Sequence, residues 1–340
     1  MPSSGKTRVA IIGVGAFGRN HARVISGLSQ KGEAVELAGV LDTNRARGST
    51  VANEFKTHAF GALADLSGAV DAACVAVPTS EHRRVARELM EMGIDVLIEK
   101  PLAPTLAEAD EIINVERQTG RIVQVGHLER FNPAVRACVP LVTTPMFFEV
   151  HRLSVFTPRS LDIDVVLDLM VHDLDIVLSF VRSPLKEVRA VGLPILTPKV
   201  DIANVRLEFD SGCVANLTAS RVSTERVRKL RFFQPRQYIS IDYSRQDVLV
   251  FSVDPNARGV ADIQPGVVAS PNPGIAAEKP PVVNEEPLEA ELRAFLHSVR
   301  TRSEPLVTLE DGRRALAAAL DILTEIQAHS QRINLAAVRG

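Results

Sequence analysis

A short β-branched run, Arg8 to Ile12 (RVAII), passes directly into Gly13-Val14-Gly15-Ala16-Phe17-Gly18, and no other feature of the 340 residues constrains the fold as much. A strand that ends in G-x-G-x-x-G and gives way to helical periodicity, here from about Arg19 to Leu28, reads as the opening of a dinucleotide-binding βαβ unit. The first glycine permits a tight turn, the second lets backbone approach a pyrophosphate, and the third lets helix and strand pack closely. The helix N-terminus then offers free N–H groups and a positive dipole end to the phosphates. Gly13, Gly15, Ala16, Phe17 and Gly18 are therefore expected at the cofactor. Asp42 follows a second strand, Ala34 to Leu41, where an acid accepts hydrogen bonds from ribose hydroxyls. A carboxylate there repels a 2′-phosphate, so NAD is expected over NADP, although nearby Arg45 works against that preference. A cap on the following helix is the alternative role for Asp42.

Further strands are expected over Asp71 to Val77, Asp95 to Ile98 and Ile122 to Val125. Helical segments lie between them, one opened by a capping box at Thr105 and Glu108. Almost wholly apolar strands alternating with helices indicate a parallel sheet covered on both faces. The pattern changes after about Pro133. One long helix is expected from Asp164 to Phe180, followed by strand-like runs separated by turn residues up to Val253. The fold class is thus an α/β Rossmann domain, residues 1–133, and an α+β domain with a large, mostly antiparallel open-faced sheet, residues 134–340. Asp254 to Glu286 reads as a long loop, and the C-terminal helices are expected to reach back to the first domain.

The formal charge of −2 gives no reason to expect nucleic acid or an acidic membrane surface as partner. No apolar run approaches a membrane span, and the N-terminus lacks a signal-peptide pattern, so a cytoplasmic location is expected. Cys74, Cys138 and Cys213 form no close pair, which argues against a disulfide framework or a zinc site.

Two segments suggest chemistry. Lys100 ends the strand DVLIEK, at the edge of the sheet where ligands sit. Asp168, His172 and Asp175 in VVLDLMVHDLDIVL share one face of a largely apolar helix. Buried polar groups need partners. A metal site, a structural hydrogen-bond network and an acid–base pair are all open from the residue pattern, but no third ligand presents itself for a metal, and none is expected.

These motifs together resemble the glucose-fructose oxidoreductase / inositol dehydrogenase / MocA family. The elements are VAIIGVGAFGRNH, AVPTSEH, EKPLA, VGHLERFNP, the Asp168 to Asp175 segment and the closing PLEAELRAFLHSV stretch. The resemblance implies that Lys100 lies beside the nicotinamide and the reacting hydroxyl, with Asp168 and His172 opposite. It implies that Pro78, Thr79 and His82 line the nicotinamide end and that Glu99 binds the nearby ribose. Val165-Val166-Leu167 stand where many members carry glycines, a departure that bears on substrate fit. Within the family, GAFGRNH, GHLERFNPA and residues 161–173 are similar to members that oxidise the 3-hydroxyl of UDP-N-acetylglucosamine for amino-sugar synthesis. Arg130, Arg152 and Arg159 are then candidates for the UDP diphosphate, or else ordinary ion-pair arginines. Oxidation of a free sugar or inositol is the competing activity, and a non-catalytic NAD(H)-binding regulator the competing class. The sheet's helix-free face and the family habit imply a homodimer or homotetramer.

Overall fold

The computed structural model describes residues 5–157, 163–253, 267–268 and 274–332. Two compact units account for them, one made of residues 1–128 and 286–316, the other of residues 129–285 and 317–340.

The first unit opens with β1 (Thr7–Ile12), α1 (Ala16–Gln30), β2 (Val35–Leu41), α2 (Arg45–Phe55) and β3 (His58–Ala59). It continues with β4 (Ala72–Val75), α3 (His82–Glu91), β5 (Asp95–Glu99), α4 (Leu106–Thr119) and β6 (Val123–Gly126). The strands form one parallel sheet in the order β3-β2-β1-β4-β5-β6. Strands β1, β4 and β5 are buried almost throughout because helices cover both faces. β3 was not foreseen in the sequence, since two exposed residues carry no apolar pattern. As expected, Thr105 Oγ1 caps α4 by accepting from Glu108 N at 3.2 Å, and Gly120 ends that helix in the left-handed conformation. The chain order reverses between β1 and β4, and the crevice at their carboxyl ends is where a doubly wound sheet takes a ligand.

The second unit contains α5 (Pro133–Cys138), β7 (Phe147–Val155), α6 (Val171–Phe180), β8 (Leu185–Leu193), β9 (Ile202–Phe209) and β10 (Val214–Ser223). After these come β11 (Val227–Gln234), β12 (Gln237–Asp242), β13 (Asp247–Val253), β14 (Val267–Val268) and β15 (Ile275–Glu278). Among the described residues they form a nine-stranded sheet, β14-β15-β13-β12-β11-β7-β10-β9-β8, antiparallel except where β7 meets β10. α6 covers one face: Phe148 stacks on Phe232 at 5.5 Å, and Phe180 meets Phe232 edge-on at 5.7 Å.

The helix expected from Asp164 to Phe180 is interrupted. Val166–Met170 form a π-helical turn before α6 begins. The entering chain is tied to its neighbours. Val165 N donates to Val200 O, Val200 N donates to Asp164 Oδ1, and Arg221 donates to the Ile163 carbonyl. Wide turns of this kind recur at functional sites, and a 3.6-residue pattern does not register them.

The chain returns to the first unit as α7 (Pro287–Thr301) and the start of α8 (Leu309–Arg332). α7 buries Leu292, Phe295 and Leu296 in the same core as Ile25 and Leu28 of α1. No helix among the described residues is long and apolar enough to cross a membrane.

Candidate active site

The glycine loop has the shape a pyrophosphate needs. Gly13 has φ +83°, and a Cβ there would stand 2.7 Å from the Ala76 carbonyl. A Cβ on Gly18 would lie 1.8 Å from the Gly13 carbonyl, so only glycine lets α1 start this close to the turn. A Cβ on Gly15 would meet nothing within 4 Å, which leaves this backbone open to an approaching ligand. Ala16 opens α1, and Phe17 is 65% exposed beside it. Gly13, Gly15, Asp42 and Pro78 line a cavity of ≈ 940 Å³, a size that suits a nucleotide.

Asp42 terminates β2 inside that cavity. Its Oδ2 accepts from Val14 N at 2.8 Å, and Oδ1 from Asn44 N at 2.7 Å. Arg47 adds a bidentate pair at 2.9 and 2.8 Å. Burial alone raises the carboxyl pKa, but the donors from Arg47, Val14 and Asn44 outweigh it and the net direction is down. Asn44, not Asp42, caps α2, accepting from Arg47 N at 3.0 Å. Asp42 is thus an ionised acceptor at the cavity wall, and Arg45 and Arg47 line the same cavity. Arg47 was not singled out in the sequence. The first turn of α2 brings it back onto the acid.

At the other end of the crevice, Glu99 closes β5 and Lys100 follows it. Glu99 Oε1 lies 2.7 Å from Nε2 of His21, an α1 side chain 1% exposed. Burial raises the Glu99 pKa, while the His21 hydrogen bond and the charges of His21, Lys100 and His82 lower it further, so the carboxylate form is favoured. His21 was visible only as the last letter of GAFGRNH and had no assigned role. Thr79 begins a short turn leading into α3.

His82 corrects an expectation: it is a buried clamp, not a cofactor-facing side chain. It is 1% exposed, with Nδ1 3.1 Å from Pro101 O and Nε2 3.1 Å from Val77 O. A neutral imidazole donates to one carbonyl at a time, and burial pushes its pKa down despite both acceptors. His82 therefore ties the Pro78 turn to the Lys100 loop and acts on the site through backbone.

Glu291 of α7 is another acid enclosed in this unit. It is 1% exposed, and neither carboxyl oxygen has a hydrogen-bond partner. Burial first, and then the charge on Glu99, pushes its pKa well up, so it is held neutral.

In the second unit Asp168 lies in the π-helical turn and His172 at the start of α6, both half-buried and reachable. Their neighbours on α6 differ. Asp173 and Asp175 are buried, and each holds an arginine. Arg152 donates to Asp173 through Nε at 2.7 Å and Nη2 at 2.8 Å, and to Glu129 at 3.0 Å. Arg130 donates to Asp175 at 2.7 and 3.2 Å. Asp175 is thus a structural anchor. Arg152 is 2% exposed and has no face left for a diphosphate, and the exposure of Arg130 is only 15%. Their alternative role, as ion-pair arginines, is the one the geometry displays. Arg159 lies outside the described residues. All three cysteines are buried free thiols, and no group of three or more potential metal ligands gathers among the described residues.

Residues 7–127 match the profile of an oxidoreductase family with an NAD-binding Rossmann fold, and residues 147–239 match the GFO/IDH/MocA C-terminal domain. The chain is 36% identical to the UDP-N-acetylglucosamine 3-dehydrogenase of Acidithiobacillus ferrooxidans, over 96% of its own length and 99% of that protein's. It is 27% identical to the NAD-dependent scyllo-inositol 2-dehydrogenase of Bacillus subtilis, over 64% of this chain and 68% of the other. The solved structure of the A. ferrooxidans enzyme is similar at TM-score 0.85 and 34% identity, over 95% of this chain and 98% of that one. A myo-inositol 2-dehydrogenase from Lactobacillus plantarum shares the fold at TM-score 0.75 and 19% identity, over 95% of this chain and 98% of that one.

Proposed function

The chain belongs to the GFO/IDH/MocA family of NAD-binding oxidoreductases and is a dehydrogenase acting on CH–OH groups, and from that premise we propose that it oxidises the 3-hydroxyl of UDP-N-acetylglucosamine to a ketone. The observation that carries the choice of substrate is similarity at 36% identity spanning 96% of the chain, against 64% for the inositol enzyme. A cytoplasmic setting goes with this reading.

The glycine loop and Asp42 fit NAD. Asp42 is an ionised acceptor, and Arg47 is already committed to it, so the wall favours ribose hydroxyls over a 2′-phosphate. NAD held by the glycine loop and Asp42 would supply the hydride acceptor for the substrate carbon. In the proposed mechanism His172 takes the hydroxyl proton, an imidazole being suited to that task near neutral pH. Lys100 stabilises negative charge developing on the oxygen. Asp168 orients His172 or the sugar. His21 holds Glu99 toward the nicotinamide-side ribose, and Thr79 and Pro78 shape the adjoining wall.

The test is turnover. Purified protein with NAD should produce NADH with UDP-N-acetylglucosamine and not with free N-acetylglucosamine, glucose or myo-inositol. Deuterium at the sugar C3 should slow the step. Turnover of myo-inositol alone would transfer the assignment to the free-polyol dehydrogenases, and tight NAD binding with no turnover would favour a regulator.

We also propose that the outer sheet face meets a second copy of the chain. Phe147, Phe233, Tyr238 and Phe251 form a ring row there at 5.7, 5.0 and 5.7 Å, and Phe233 is 37% exposed. An unpartnered row of that kind is a liability in a monomer. Small-angle scattering should return the mass of a dimer or a tetramer, and a monomer's mass would refute the pairing.

A further inference from the structure

With Arg130 and Arg152 held by carboxylates and Arg159 outside the described residues, neither of the two described candidates is open to the diphosphate of the nucleotide-sugar reading. Of the five cations between Arg221 and Arg231, three have protein partners. Arg221 is 3.7 Å from Asp201, Lys229 is 3.9 Å from Asp242, and Arg231 is 3.1 Å from Glu149. Arg226 and Arg228 form no ion pair or side-chain hydrogen bond among the described residues. Both are exposed.

Register and alternation place Arg228. It lies directly opposite Arg152 in the β7–β11 pairing. Leu230 and Phe232, two and four residues on, are buried, so Arg228 shares their face of the sheet, the face α6 covers. Phe232 meets Phe180 at the far end of α6, and Arg152 meets Asp173 at its near end. Arg228 therefore sits toward the end where α6 begins, beside the residue that follows His172. Its guanidinium is held below its usual range, first by loss of solvent and then by the charge of Arg152, with Glu129 and Asp173 opposing. Those two carboxylates already bond Arg152 and make no ion pair with Arg228. A guanidinium with five unused donors beside another cation is the arrangement that an added anion relieves.

We propose that Arg228 is the substrate-specificity residue, a bidentate donor to the diphosphate of a nucleoside-diphosphate sugar, with Arg226 adding charge at the mouth. This rests on the nucleotide-sugar reading above and deepens it. Arg228 anchors the diphosphate end of the ligand, so that the sugar reaches Asp168 and His172. A free sugar or inositol offers nothing for it to hold.

The experiment compares the wild type with Arg228→Gln, Arg228→Lys and, as a control on the same strand, Arg231→Gln. The readouts are the Kd of UDP and of NAD by calorimetry, the kcat and KM for UDP-N-acetylglucosamine, and thermal melting. Charge-assisted bonds of this type correspond to roughly a 10- to 100-fold change in affinity. Arg228→Gln should raise the UDP Kd and the sugar-nucleotide KM by that factor, with kcat and the NAD Kd nearly unchanged. Arg228→Lys should recover part of the loss, since it restores the charge without the fork. Arg231→Gln should change neither constant. An unchanged UDP Kd in a folded Arg228→Gln protein overturns the proposal. So does a loss confined to NAD, which would mean that the guanidinium reads the dinucleotide. Failure of the wild type itself to bind UDP or turn over a UDP-sugar would instead remove the reading on which the proposal stands, and the two failures are told apart by the wild-type arm.

Discussion

Replacing Lys100 with methionine is expected to lower kcat for UDP-N-acetylglucosamine oxidation by about 10³-fold while leaving the Kd of NAD within about twofold. Methionine keeps the length and apolar stem of lysine and removes only the ammonium. Lys100 ends β5 at the carboxyl edge of the sheet, next to Glu99, whose ionised form its charge favours. In the proposed mechanism that ammonium acts on an oxygen that gains charge only as the carbon–hydrogen bond breaks, so its loss falls on kcat rather than on ground-state binding. His172→Asn is the companion variant. It should lower kcat by roughly 10²-fold and abolish the acidic limb of the pH–rate profile that an imidazole base produces. Stopped-flow single turnovers separate the chemical step from product release. A Lys100→Met enzyme within tenfold of the wild type in single-turnover rate would exclude Lys100 from the chemistry. A Kd for NAD raised as far as kcat is lowered would make it a cofactor-binding group instead.

The parts of this protein that were legible in its sequence are those where one local rule decides the outcome. Gly13 had to be glycine for its positive φ and the nearby Ala76 carbonyl, and Gly18 because α1 starts against the turn, and the spacing shows both. Most strands of both sheets announced themselves through apolar runs or alternation, and Thr105 through a cap. β3, at two residues, did not. β14 and β15 correct the reading of residues 254–286 as a loop, because such short strands are set by pairing with β13 and with each other rather than by a pattern of their own. What escaped was set by contacts distant in sequence. His21 meets Glu99 across 78 residues, and Arg152 meets Asp173 across 21. His82 looked like a cofactor ligand because it lies in AVPTSEH, whereas its ring is buried with both nitrogens against backbone carbonyls. Arg228 carried no signal at all. Four of the six residues from Arg226 to Arg231 are basic, and only the pairing register and the carboxylate positions separate the one facing α6 from those answered on the outer face. The interrupted helix at Val166–Met170 is likewise invisible to a periodicity argument.

The same reasoning gives Arg152 an effect on stability rather than on affinity. Its guanidinium is 2% exposed and bridges Asp173 and Glu129 from β7. Burial alone lowers an arginine's pKa, but the two carboxylates outweigh it, so the cation is held firmly charged. Arg152→Met would leave two acids facing each other with no cation between them. Removing one member of a buried charged group costs about 3–5 kcal/mol, because the groups left behind have lost their solvent and gained no partner. For a protein of this size that corresponds to a fall in melting temperature of roughly 5 °C. The triple variant Arg152→Met, Asp173→Asn, Glu129→Gln removes the uncompensated charge together with its partner, and should regain much of the loss, since a neutral buried group avoids the desolvation penalty of an ion. Calorimetric melts of the single and triple variants, beside their UDP dissociation constants, decide the matter. If Arg152→Met melted like the wild type and bound UDP ten times more weakly, Arg152 would be a ligand-contacting residue, and the buried bridge to Asp173 and Glu129 would not be what keeps α6 on the sheet.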